Sequence, residues 1–202
     1  MAQLQRLIAP GKTLAIGPLQ WHLDAVVVPV VSTGANDKTE LRLFQLSASE
    51  PFRLTEHPEF GLSSSGKIDV SAAKLWGANL WVPVRFSESQ PGYRMELWRI
   101  SPSQPQLFDT ATFLVGRAGV NLTESPSRML PDNPRFVPIS GGRAIFGYDH
   151  DSLYLVDERV GHLKLLFHPA SGGLRLVDLG SGCVMFWNLH ARKAYIINTE
   201  KG

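Results

Sequence analysis

Val28-Pro29-Val30, Val82-Pro83-Val84 and Val137-Pro138-Ile139 recur at intervals of 54 and 55 residues. Valine and isoleucine suit the half-buried pleat of a strand, and proline cannot donate to a ladder. Pro29 and Pro83 therefore argue against central ladder strands and are expected to mark an end of pairing or a bulge, at matching places in two repeats. A second element, an apolar run ahead of a polar turn, recurs at 41–46, 95–100, 152–157 and 193–198. A third begins as a strand and stops at a turn: Leu54-Thr55-Glu56-His57-Pro58 and Leu165-Leu166-Phe167-His168-Pro169, 111 residues apart, about two repeat lengths. A residue before proline is held extended, so His-Pro reads as a strand stop. No segment sustains apolar residues at i, i+3, i+4 and i+7 over three turns, while short β-rich runs between Gly, Pro, Ser and Asn clusters fill the chain. The class is all-β.

The runs sort into four groups of strands. The first takes 13–17, 24–31, 40–46 and 51–56; the second 67–75, 79–86, 93–100 and 105–112; the third 135–140, 143–149, 152–157 and 163–168. The fourth has only 174–179, 183–188 and 193–198 before the chain ends. At the other end, Leu4-Gln5-Arg6-Leu7-Ile8 resembles Leu163-Lys164-Leu165-Leu166-Phe167, and both are followed by a turn and an apolar strand. The N-terminal segment is therefore expected to supply the missing outer strand, which would leave no open edge in the ring. In layout the chain resembles the β-propeller superfamily, whose blades are four-stranded sheets repeated around a centre. There is no WD dipeptide in a blade register, no kelch-type double-glycine series and no Asp-box. The expectation is a single domain, 1–202, folded as a four-bladed propeller-like ring closed by the N-terminal strand. The alternative is a β-sandwich or irregular barrel.

At 202 residues, 44% hydrophobic and 19% charged, the chain suffices for one globular core. Net charge is +2 with Lys and Arg scattered, so no basic stripe offers a footprint for nucleic acid. No apolar stretch approaches the ~20 residues of a membrane span. The N-terminus lacks the apolar region of a secretory signal. A single cysteine, Cys183, lies in the apolar run Cys183-Val184-Met185-Phe186-Trp187 and reads as a structural thiol. A soluble, cytoplasmic monomer is expected, with no cofactor.

Phased as above, the loops on one face of the ring carry four of the six histidines, His57, His150, His168 and His190. With Asp151 they form the candidate metal or ligand set, since loops on a rigid scaffold are where binding residues gather. Against a metal, no His-x-His, His-x3-His or Cys-x2-Cys pair occurs. Asp149-His150-Asp151 also suits a hairpin tip, where Asp bonds to nearby backbone. Gly180-Ser181-Gly182 and Ser140-Gly141-Gly142 read as hairpin turns, not phosphate loops. The segment 113–134 is much longer than its counterparts and carries Arg117, Arg128, Met129 and Leu130. Trp76, Trp81, Trp98 and Trp187 read as packing between sheets. Trp21 stands apart on the opposite face and would anchor a partner if exposed.

No nucleophile elbow or other catalytic constellation is written locally. The function expected is a non-enzymatic interaction module that binds a protein partner through the long-loop face, with Arg117, Arg128, Met129 and Leu130 as contacts there and Trp21 as a candidate contact on the opposite face. The alternative is a hydrolase or lyase with a His/Asp site at the channel mouth.

Overall fold

The computed structural model describes residues 12–22, 25–34, 36–47, 53–87, 93–102, 104–113, 134–139, 141–148, 153–167, 174–180, 183–188 and 192–198. Among them there is no α-helix, and no helix long and apolar enough to cross a membrane. The strands form four antiparallel sheets. The first contains β1 (Thr13–Ile16), β2 (Gln20–His22), β3 (Ala25–Thr33), β4 (Thr39–Leu46) and β5 (Leu54–Ser64), ordered β1-β3-β4-β5 with β2 also on β3. The second contains β6 (Lys67–Ile68), β7 (Lys74–Trp76), β8 (Asn79–Ser87), β9 (Tyr93–Ile100) and β10 (Pro105–Phe113), ordered β10-β9-β8-β6 with β7 also on β8. The third runs β11 (Pro134–Ile139), β12 (Arg143–Tyr148), β13 (Leu153–Asp157), β14 (Leu163–Phe167) in sequence order, and the fourth β15 (Leu174–Gly180), β16 (Cys183–Asn188), β17 (Lys193–Asn198). The four sheets follow the four groups expected from sequence, but the first two have five strands each: Gln20–His22 forms an unexpected strand, and 67–75 is split into β6 and β7. The N-terminal segment 4–11 lies outside the described residues.

The chain divides into two compact units, Met1–Ser87 with Met95–Phe108, and Glu88–Arg94 with Asp109–Gly202. In the first unit, the first two sheets share one core. Val27, Val31, Leu41, Leu43 and Phe60 from the first sheet meet Leu75, Leu80, Val82, Val84 and Ile100 from the second. Side chains alternate along a strand, so Val28, Val30 and Phe44 point to the other face of the first sheet, where they too are buried. Trp81 likewise leaves the shared core and packs between Trp76, 5.3 Å away, and Phe108, 5.0 Å away and edge-on.

The prolines correct one expectation. Pro29 and Pro83 do not end their strands; they sit inside β3 and β8, each flanked by pairing on both sides. What breaks is the neighbouring strand. β1 ends with Ile16 opposite Val30, and β2 resumes with Gln20 opposite Val27, leaving Pro29 facing the gap. The Gly17 N–H donates to the Pro29 carbonyl at 2.8 Å. In an antiparallel ladder the N–H and C=O of one residue face the same side. The donor that proline lacks therefore faces the break, and pairing with β4 continues unbroken at Pro29–Leu43.

The second sheet repeats the device: β6 ends, a 3-10 turn at Val70–Ala72 intervenes, and β7 follows, with the Asp69 N–H donating to the Pro83 carbonyl at 3.0 Å. The two breaks pack on each other. A Cβ on Gly17 would stand 2.6 Å from the Val70 carbonyl oxygen and 2.7 Å from Pro29 Cγ. Only glycine fits there. Beside it, buried Gln20 acts as a substitute strand residue: its Nε2 donates to the Ala73 carbonyl at 2.7 Å and its Oε1 accepts the Leu75 N–H at 2.8 Å. The third triplet member, Pro138, is not equivalent, because it lies on β11, the first strand of its sheet.

A second correction concerns His57-Pro58. The strand does not stop there; β5 continues to Ser64. Leu43 pairs with His57 and Leu41 with Leu62, so the register shifts between them and the surplus residues bulge. The bulge takes Pro58 out of the ladder and delivers Phe60 to the core.

In the second unit, Ile139, Ile145, Leu153 and Leu155 of the third sheet pack with Val184, Tyr195 and Ile197 of the fourth. Ala144, Phe146 and Val156, on the alternate positions, are fully buried as well. The hairpin between β11 and β12 turns through Gly141 and Gly142 with φ of 73° and 69°, the left-handed region that favours glycine. Asp109 of β10 pins the start of β14, its Oδ2 accepting the Leu163 N–H at 2.6 Å.

Candidate functional site

Two of the candidate site residues, Trp21 and His57, are described, and they lie on different strands of the first sheet. Trp21 is the middle residue of β2, opposite Val26. Its strand is short because the Gly17–Leu19 break precedes it, and its neighbour Gln20 points inward, which turns Trp21 outward by strand alternation. Trp21 is 78% exposed, Leu19 66% and Ile16 43%. These three form a stretch of apolar surface along one edge of the sheet. Ile16 and Leu19 were not anticipated: a single apolar residue near a strand end gives no sign of which way it faces.

His57 lies on β5, not in a loop. Its Nδ1 stands 2.9 Å from Glu59 Oε1 and its Nε2 2.9 Å from Gln45 Oε1. The hydrogen bond from His57 holds the Glu59 carboxyl below its ordinary range. Both ring nitrogens are thus engaged within the strand pair. Arg117, Arg128, Met129, Leu130, His150, Asp151, His168 and His190 lie outside the described residues. Among the described residues no group of three or more His, Cys, Asp or Glu could hold a metal ion.

The charged groups form local pairs. Lys12 Nζ reaches Glu40 Oε2 at 2.7 Å, and Arg42 Nη1 reaches Glu56 at 3.5 Å. The Lys12 bond depresses the Glu40 carboxyl. Arg85 Nη2 stands 3.5 Å from Asp69 Oδ1 in the half-buried interior of the second sheet. At the β13 end, Arg159 donates to both oxygens of Asp157, at 3.1 and 2.9 Å, and lowers that carboxyl in turn. Each of these fastens one strand or turn to another. Packing between sheets was expected of the tryptophans; Trp76 and Trp81 instead pack on each other, and Trp81 on Phe108, within the second sheet. Trp98 lies against the core shared by the first two sheets and donates from Nε1 to Glu96 at 3.0 Å. The Trp187 side chain is outside the described residues. Cys183 is a half-buried free thiol on β16.

No family model matches the chain, and no curated protein matches it. Among solved structures, it is similar to a mannose phosphorylase from Leishmania mexicana in complex with phosphate ion. That similarity is 9% identity over 92% of this chain and 83% of the other, with a TM-score of 0.36. A likeness of this size carries no argument about activity.

Proposed function

We propose that the protein is a non-enzymatic interaction module that binds a protein partner, built as a four-bladed propeller-like ring. Burial supports the ring. In a two-sheet sandwich the outward residues of each strand are polar and wet. Here β3, β8 and β12 carry buried apolar side chains at consecutive positions, so both faces of three sheets are covered. A ring flanks every sheet on both sides. In this reading the N-terminal segment 4–11 joins the three-stranded fourth sheet and closes the ring as one domain.

The observation that carries the binding reading is Trp21, a tryptophan 78% exposed on a strand whose neighbours are locked into the core. Tryptophan dominates interface hot spots, and a rigid mount lowers the entropy cost of using it. Arg117, Arg128, Met129 and Leu130 of the long loop are proposed as a second set of contacts. The protein is taken to act as a cytoplasmic monomer.

The test is affinity capture of the tagged protein from its native cell extract, with co-purifying proteins weighed by mass spectrometry. A stoichiometric partner is expected, and Trp21→Ala should weaken its capture by about tenfold or more. The circular dichroism and melting temperature should stay unchanged. A solitary protein, or undiminished capture by Trp21→Ala, would refute the reading.

A further inference from the structure

β1 and β2 form an edge of the first sheet: each pairs with β3 and with no other described strand. Sheet edges are templates for pairing with another chain, and folded proteins blunt them with charges and prolines. The described edges follow that rule with one exception. Pro58 and Glu59 guard β5, Asp109 guards β10, Lys164 guards β14 and Lys193 guards β17. β6 and β7 each open on a lysine, and β11 and β15 each carry an arginine at the second position. Thr13–Ile16 contains no Lys, Arg, Asp, Glu or Pro, whereas Pro18 stands in the break between it and β2. Lys12, immediately before, is tied to Glu40 at 2.7 Å. The unguarded strand, β1, ends on exposed Ile16 and is followed by exposed Leu19 and Trp21.

The size of the surface selects the occupant. Three side chains so exposed offer on the order of 400 Å², about half of the ~800 Å² per partner in a stable interface between folded proteins. A second copy docking face to face would be short of contact area. An extended segment makes up the difference with main-chain hydrogen bonds, which need no apolar surface. We propose that this edge takes an extended peptide segment of the partner as an added strand. Main-chain bonds run along β1, and alternate apolar side chains of the segment rest on Ile16, Leu19 and Trp21. The proposal rests on the interaction-module reading and names its mode.

The experiment selects displayed random peptides on the full chain, then titrates one selected peptide and a copy N-methylated at alternate residues along one edge. The selected peptides should alternate apolar residues and protect the Thr13–Ile16 amides from hydrogen exchange. Ile16→Lys, which restores an edge charge at an exposed position, should weaken binding by about tenfold or more. Thr13→Lys serves the same purpose if Ile16→Lys perturbs folding. The N-methylated copy should bind far more weakly. Selection of no peptide, selected peptides without alternation, or equal binding of the N-methylated copy would overturn the edge assignment. So would a concentration-dependent dimer of the chain that protects the same amides, because the occupant would then be a second copy. If Trp21→Ala still abolishes capture of the native partner while the N-methylated peptide binds unchanged, strand addition fails and the interaction-module reading survives.

Discussion

The first two sheets, of five strands each, and the third, of four, differ in how their opening strand is built. In the first pair, the opening strand is broken in two and the strand beside it carries a proline opposite the break. In the third sheet β11 is continuous, and Val137, Pro138 and Ile139 pair along it with Ile145, Ala144 and Arg143. One short motif thus occupies two structural positions. What the difference teaches is that a Val-Pro-Val triplet reports a missing donor on one side of a strand, and the fold decides which side can spare it. An interior strand can hold proline where its neighbour is already interrupted, and an edge strand can hold it because one side is open.

The largest expected effect tests what the two regions share, burial of both sheet faces. Phe44 and Phe146 are each 0% exposed and point away from the core shared within their own units. If both outward faces are packed, Phe44→Ala and Phe146→Ala each cost about 3–5 kcal/mol. Urea unfolding of the whole chain measures this. A loss below about 1 kcal/mol at either position, the range of surface substitutions, would mean that face is wet and would break the ring reading there.

The next effect separates the regions. Gln20→Ala strips two buried main-chain groups, the Ala73 carbonyl and the Leu75 N–H, of their partner. An unsatisfied buried group costs about 1–3 kcal/mol, so a loss of about 2–4 kcal/mol is expected by chemical denaturation. Hydrogen exchange should localise it: the Leu75 amide loses protection while β12 and β13 keep theirs. Unchanged protection at Leu75 would show that the bridge between β2 and β7 does not hold the broken strands.

Gly17→Ala tests the packing of the two breaks. Its Cβ meets backbone on one side and a proline ring on the other, neither of which is the far end of a flexible side chain. Overpacking of this kind costs about 1–3 kcal/mol. Gly142→Ala in the third sheet is the matched control, where the space is open and the strain comes only from φ of 69°. If Gly17→Ala proves the milder of the two, the breaks are not in close contact.

These devices explain what could be read in advance. The interior strands β3, β8, β9, β12 and β16 were legible because β-branched and aromatic runs bounded by turn residues leave little choice of structure. The breaks were not. Residues 67–75 read as one strand, yet Asp69 caps the start of a 3-10 turn there, its N–H bonded to the Pro83 carbonyl of a strand whose proline lies 14 positions later. Residues 57–64 read as a loop because His57-Pro58 imitates a strand stop, and the buried Phe60 that carries β5 onward needs a core formed by another sheet. Of the candidate site, Trp21 was visible as an isolated tryptophan, but its edge was not, since the absence of guarding charges matters only once the strand order is known.

The smallest effect is electrostatic and again compares the regions. Glu40 and Glu59 in the first unit and Asp157 in the second are held below the ordinary carboxylate range, chiefly by hydrogen bonds from Lys12, His57 and Arg159 respectively. A carboxyl depressed in the folded chain binds a proton more readily when unfolded. Its contribution is therefore complete above the ordinary carboxylate value, about pH 4, and drains away as pH falls toward the lower folded value. Lys12→Met should flatten that acid limb slightly, by less than about 1 kcal/mol, because the pair is part-exposed and salt-screened. Arg159→Met should flatten it less through Asp157, because Arg159 is 72% exposed where Lys12 is 25% exposed. More solvent around the guanidinium leaves that bond more screened, so the first unit's strand ladder should respond more than the second unit's turn. Unfolding curves collected at several pH values between neutral and acid would settle the order, and a larger change from Arg159→Met would reverse it.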